Sequence, residues 1–78
     1  MRIGVPRAAA DEWYIGFGSE GDDTLSPTGD LIEAAARLFD CLHRADASPK
    51  PRIAVAPVPI DGLGAAINDR LRRAASPA

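Results

Sequence analysis

Apolar and polar positions follow two rhythms along this chain, one suited to strands and one to helices. Arg2 to Val5 is short and apolar, stops at Pro6, and reads as an edge strand or the tail of a linker. Residues 8–11 form a turn region. Glu12-Trp13-Tyr14-Ile15-Gly16-Phe17 then has the aromatic and β-branched content of a strand, ended by Gly18. Ser19 to Asp23 is polar, carries a glycine, and reads as a loop.

The clearest element is LSPTGDLIEAAARLFDCLHRADA, residues 25–47. Ser26 reads as an N-cap followed by Pro27 at the first helical position, where its missing N–H costs nothing. Alternatively the regular helix begins at Asp30, with residues 26–29 as a leading turn. At about 100° per residue, Leu31, Ala34, Ala35, Leu38, Cys41, Leu42 and Ala45 share one side, extended by Ile32 and Phe39. Glu33, Arg37, Asp40 and Arg44 take the other side, as the i,i+4 pairs Glu33–Arg37 and Asp40–Arg44. The pattern is that of a helix covering a sheet.

Asp46 to Arg52 is a proline-bearing loop. Ile53-Ala54-Val55-Ala56 is apolar on both alternating faces, the habit of a strand buried in a parallel sheet, and residues 57–59 close it. A last helix runs from Gly62 or Leu63 to about Ala75, with Leu63, Ile67, Leu71 and Ala74 as its apolar stripe. Strand, helix, strand in this order predicts an α/β fold, a mostly parallel sheet with a right-handed βαβ crossover and a C-terminal helix. Its 78 residues make a single domain, 1–78, with marginal stability when alone.

Composition changes this picture little. At 46% hydrophobic and 26% charged, the chain has enough aliphatic residues for a core. With 5% aromatics, that core rests on aliphatics and alanines. A net charge of −2 argues against a direct nucleic-acid module, although Arg70, Arg72 and Arg73 cluster near the C-terminus. No apolar run reaches the length of a membrane span. The single cysteine, Cys41, excludes an internal disulfide and suits a reducing cytoplasm.

Candidate chemistry is sparse. PVPIDGLGAAINDRL places a glycine-bearing loop between a buried strand and a helix N-terminus, where α/β folds hold phosphates, so Gly62 and Gly64 are candidate ligand-binding positions. The third glycine of the dinucleotide fingerprint is replaced by Ile67, and Asp61 would repel an anion. The plainer reading is that both glycines ease a tight turn and close helix packing. Asn68, Asp69, Arg70 and Arg73 form an interface candidate. Asp69–Arg73 also reads as an ordinary solvated i,i+4 pair, whereas Asn68, a poor helix former, should hydrogen-bond something specific. His43 lacks the orienting partner a general base needs and reads as a helix-end residue facing the dipole. Ser26 lacks the context of a nucleophile. Asp22, Asp23 and Asp30 do not follow a calcium-loop pattern, and Cys41 with His43 does not make a metal site. Trp13 and Tyr14 read as core and rim of a strand.

Two segments carry a family resemblance. LSPTGDLIEAAARLFDCLHRADA, with its Ser-Pro cap, Gly-Asp-Leu, Glu-Ala-Ala and Leu-Phe, resembles the C-terminal domain of L-threonylcarbamoyladenylate synthases. IAVAPVPIDGLGAAINDRLRRAA, with Pro-x-Pro, Gly-Leu-Gly and Asp-Arg-Leu-x-Arg-Ala-Ala, resembles its closing stretch, and YIGFG resembles its opening strand. The resemblance implies a small Rossmann-like domain, with residues 1–11 as the end of a linker and the first strand. It implies a cytoplasmic protein of tRNA threonylcarbamoyladenosine biosynthesis, and a catalytic domain as partner, in cis or in trans. In such enzymes the larger N-terminal domain uses ATP and magnesium, threonine and bicarbonate. No substrate-binding residue of that domain falls within these positions, so the chain alone is expected to be inactive and without a cofactor. Gly62, Gly64, Asn68, Asp69, Arg70 and Arg73 then belong to a signature that serves docking or fold. The residues by themselves leave two other readings open, a small nucleotide- or anion-binding module and a self-associating structural domain.

Overall fold

Ile15 and Val55 lie side by side on neighbouring strands, both fully buried, and the chain is arranged to cover them. The computed structural model describes residues 1–75. Its elements run β1 (Arg2–Ile3), β2 (Glu12–Gly16), β3 (Asp23–Thr24), α1 (Leu31–Asp46), β4 (Arg52–Val55) and α2 (Leu63–Ala75). The strands form one parallel sheet in the order β1-β4-β2-β3. β2, α1 and β4 make the predicted βαβ unit, with Trp13 beside Ile53 and Ile15 beside Val55. The result is a small α/β domain of Rossmann-like type.

Side chains alternate across a strand, so Trp13 and Ile15 share a face with Ile53, Val55 and Ile3. Both helices lie on that face. Ala34, Leu38, Cys41 and Ala45 of α1 pack with Ile67 and Leu71 of α2 and with Ile15, Leu25, Val55 and Val58 in one core. The opposite face carries Arg2, Glu12, Tyr14 and Ala54, and among the described residues no helix covers it. Ala54 is nonetheless fully buried. Tyr14 crosses β4 to donate its hydroxyl to the Val5 carbonyl at 3.1 Å. Arg2 crosses it to donate to both carboxylate oxygens of Glu12, at 2.9 and 2.7 Å. The small side chain at 54 lets both lie flat on the sheet. Polar side chains therefore take the place of a third layer over Ala54.

The start of α1 is settled by its cap. Asp30 is the N-cap, accepting from the backbone N–H of Ile32 at 2.8 Å and of Glu33 at 3.3 Å. Ser26 belongs to the turn before it. Fully buried, it accepts from the Asp30 N–H at 2.9 Å and donates to Glu33 Oε1 at 2.6 Å.

Several sequence expectations shift. β2 ends at Gly16 and β4 at Val55, although the Ala56 N–H still reaches the Ile15 carbonyl at 2.9 Å. Asp23 forms part of the edge strand β3 rather than a loop, because two residues are too few to show a period. The i,i+4 pairs of α1 do not form. Ser26 engages Glu33, while Arg37 and Arg44 both turn to Asp23, at 3.8 and 2.7 Å. Asp23 is only 12% exposed, so its carboxylate gains more from cations than the solvated Asp40 does. The buried stripe of α2 is Gly64, Ile67, Asn68 and Leu71, whereas Leu63 and Ala74 are exposed. On α1, Ala35, Ile32 and Phe39 are exposed as well.

Candidate interaction surface

The Pro-rich stretch after β4 and the first turn of α2 are held together by two residues. Gly64 packs so closely beneath the chain that an added Cβ would lie 1.9 Å from the Pro59 carbonyl oxygen. Asn68, one turn later and 7% exposed, donates its amide to the carbonyls of Val58, Pro59 and Gly64 at 3.0, 3.1 and 2.8 Å. The specific hydrogen bonding that a helical asparagine suggests is therefore internal. Gly62 takes a left-handed φ of 58° with open space around it. The N–H groups of Gly64 and Ala65 donate to the carbonyls of Asp61 and Gly62, both at 3.1 Å.

Other singled-out residues lie apart from this loop. Asp69 and Arg73 pair at 3.2 Å on the solvent side of α2. His43, exposed near the end of α1, meets the Phe39 ring edge-on at 4.7 Å. Cys41 is buried, and burial raises the pKa of its thiol, so it is a poor nucleophile. Asp22 accepts the Tyr14 N–H at 2.8 Å and faces Lys50 at 3.3 Å. Among the described residues no group of three or more His, Cys, Asp or Glu side chains is placed to hold a metal ion. Trp13 packs against the core with its indole N–H buried and, among the described residues, without a partner. No helix among the described residues is long and apolar enough to cross a membrane.

The most distinctive surface lies between the helices. Ala35, Leu38 and Phe39 of α1 face Leu63, Ala66, Ile67 and Arg70 of α2 across a groove of about 290 Å³. It continues along Phe39, Leu42, Arg70, Arg73 and Ala74. Phe39 is 61% exposed, Ile32 75% and Leu63 41%. Arg70 and Arg73, interface candidates from the sequence, both line this groove. Phe39 and Leu63, whose spacing places them in core-facing stripes, line it too. Their position at the outer end of the apolar arc is the signal that separates them.

A family model described as threonylcarbamoyl-AMP synthase, C-terminal domain, matches residues 2–76. The chain belongs to that family. No curated protein and no solved structure matched it. Membership associates the chain with threonylcarbamoyl-AMP synthase and with tRNA modification. In this threonylcarbamoyl-AMP synthase domain the candidate residues named from the sequence divide by position. Gly64 and Asn68 fasten the fold from inside, while Asp69, Arg70 and Arg73 are exposed on α2.

Proposed function

We propose that this chain is a non-catalytic accessory domain of threonylcarbamoyl-AMP synthase. On this reading it acts in the cytoplasm by docking on the catalytic part of the enzyme, in cis or in trans. The observation that carries the reading is the family match over residues 2–76. The chemistry of the loop supports it. The Gly64 and Ala65 N–H groups are already engaged by Asp61 and Gly62, and Asp61 is exposed beside them, so the loop is a poor cradle for a triphosphate. ATP and magnesium then belong to the catalytic part, and this chain needs neither.

The test has two arms. The chain alone, given ATP, magnesium, threonine and bicarbonate, should release no pyrophosphate above a matched blank. A separately produced catalytic part should bind it in isothermal calorimetry. Threonine-dependent pyrophosphate release by the chain alone would overturn the reading. A rise in melting temperature with ATP in place of any binding to the catalytic part would assign the chain to a nucleotide-binding module instead.

A further inference from the structure

The outer surface of α1 is apolar over a wider arc than its neighbours can cover. Ala34, Leu38, Cys41 and Ala45 face the core. Leu31 and Leu42 are half-buried beside them. At about 100° per residue the apolar arc then continues through Ala35, Phe39 and Ile32 on the side toward α2. An amphipathic helix packed on one sheet and one neighbour needs a stripe of little more than about 100°. The apolar arc of α1 spans roughly 180° by the same helical spacing, and its outer part is left on the surface.

Across the first part of the groove, α2 presents Leu63 and Ala66 and then one charge, Arg70. The exposed, small Ala35 and Ala66 leave room above the buried Leu38 and Ile67, while Phe39 and Leu63 add exposed apolar surface to the same groove. That relief fits a helix laid into the groove with one side chain inserted between the alanines. Arg70 fixes the chemistry of the occupant. It lines both parts of the groove, and no carboxylate of the described residues lies within ion-pair distance of it, whereas neighbouring Arg73 is turned to Asp69 at 3.2 Å. A purely apolar occupant would strip water from this guanidinium without compensation. A second copy is also disfavoured, because among the described residues no carboxylate lines the groove, so a groove-to-groove pairing would leave both Arg70 guanidiniums without a partner.

We propose that the groove between α1 and α2 receives a helix presenting an apolar side chain and a carboxylate about one turn apart, carried by the catalytic part of threonylcarbamoyl-AMP synthase. This rests on the accessory-domain reading above and adds to it the face and the chemistry of docking. The apolar anchor sits against Phe39 and Leu63, and the carboxylate meets Arg70.

Binding of the full chain to the separately produced catalytic part, measured by calorimetry, tests the proposal. Phe39→Asp and Arg70→Glu change exposed residues, so both variants should keep the wild-type circular dichroism. Each should weaken binding by about tenfold or more, as expected for an aromatic or arginine anchor. Arg72→Glu makes the same charge change on another side of α2 and should leave affinity within about threefold, as for a charge outside the contact. Wild-type binding that both groove variants retain in full would place docking on another face, sinking this proposal and sparing the accessory reading. Absence of wild-type binding would remove both. A wild-type dimer that Phe39→Asp converts to monomer would show a second copy in the groove and overturn the choice of occupant.

Discussion

Gly64 and Asn68 show how a few atoms fasten a whole segment. Val58 is buried and its carbonyl is bonded to the Asn68 amide, a partner that an aliphatic side chain could not supply. Close approach of the helix to Pro59 requires that position 64 lack a Cβ. Gly64→Ala sets a carbon 1.9 Å from backbone, which rotamer changes cannot relieve. Such overpacking should cost about 3 kcal/mol or more. Gly62→Ala meets no steric neighbour and should lose only the left-handed backbone preference, about 1–2 kcal/mol. Urea denaturation of the two variants checks this, and a midpoint for Gly64→Ala at or above that of Gly62→Ala would contradict the packing argument. In the sequence these residues appear as a glycine loop and a separate helical asparagine. Their joint role is not legible there, because the Asn68 amide reaches Val58 across 10 residues of chain.

At the scale of the element, α1 joins a strongly specified inner face to an outer one that the domain does not use. Leu38 is 8% exposed and packs in the core with Ala34, Cys41 and Ala45, residues too small to fill its space. Leu38→Ala should therefore cost about 2–5 kcal/mol. Small domains have a total stability of only about 5 kcal/mol at the lower end of the usual range, so much of that variant should be unfolded at room temperature. Arg37→Ala removes only a 3.8 Å contact to Asp23, which keeps Arg44 at 2.7 Å, and should cost about 0.5 kcal/mol. Equal urea midpoints would mean that the inner face is wrongly assigned. The 3.6-residue period located this helix and its buried centre, Leu38. It could not say where burial stops along the arc, because that depends on how closely α2 sits beside α1. Ile32 and Phe39 are apolar at the right spacing, yet both stay mostly exposed.

Across the whole molecule, acid-sensitive ion pairs tie the N-terminal strand and the loops to the sheet. Arg2 hydrogen-bonds the buried Glu12 through both oxygens, the Ala9 N–H adds a further bond at 2.8 Å, and together they hold the Glu12 carboxyl down to about 2. Its unperturbed value is 4.5, so the folded state favours the charged form. The stabilisation is fully present above about pH 4.5 and is lost as the pH falls through that value toward about 2. Asp11, lowered by hydrogen bonds from Arg52, and Asp22, lowered by the Tyr14 N–H, act in the same direction. Asp23 is lowered too: its burial is the largest single effect and opposes this, but the Arg44 hydrogen bond and charge together with the Thr24 N–H outweigh it. Urea midpoints of the wild type should fall across this acid range, and Glu12→Gln should flatten part of the slope while lowering the midpoint at neutral pH. An unchanged slope in Glu12→Gln would show that the other carboxylates govern acid sensitivity.

By itself the sequence determined the α/β class, the order of the main strands and helices, the parallel pairing of β2 with β4, and the family. Those features rest on local periods, on turn residues and on a connection long enough for a crossover helix. The pairing of β1 with β4, the edge strand at Asp23–Thr24 and the polar cover over Ala54 were decided only by the tertiary structure. Each depends on which strands become neighbours, and strands of two residues carry no period from which that could be read. The same holds for the groove. Phe39 and Leu63 have the spacing of core residues, and only the separation of two packed helices leaves them facing outward beside Arg70.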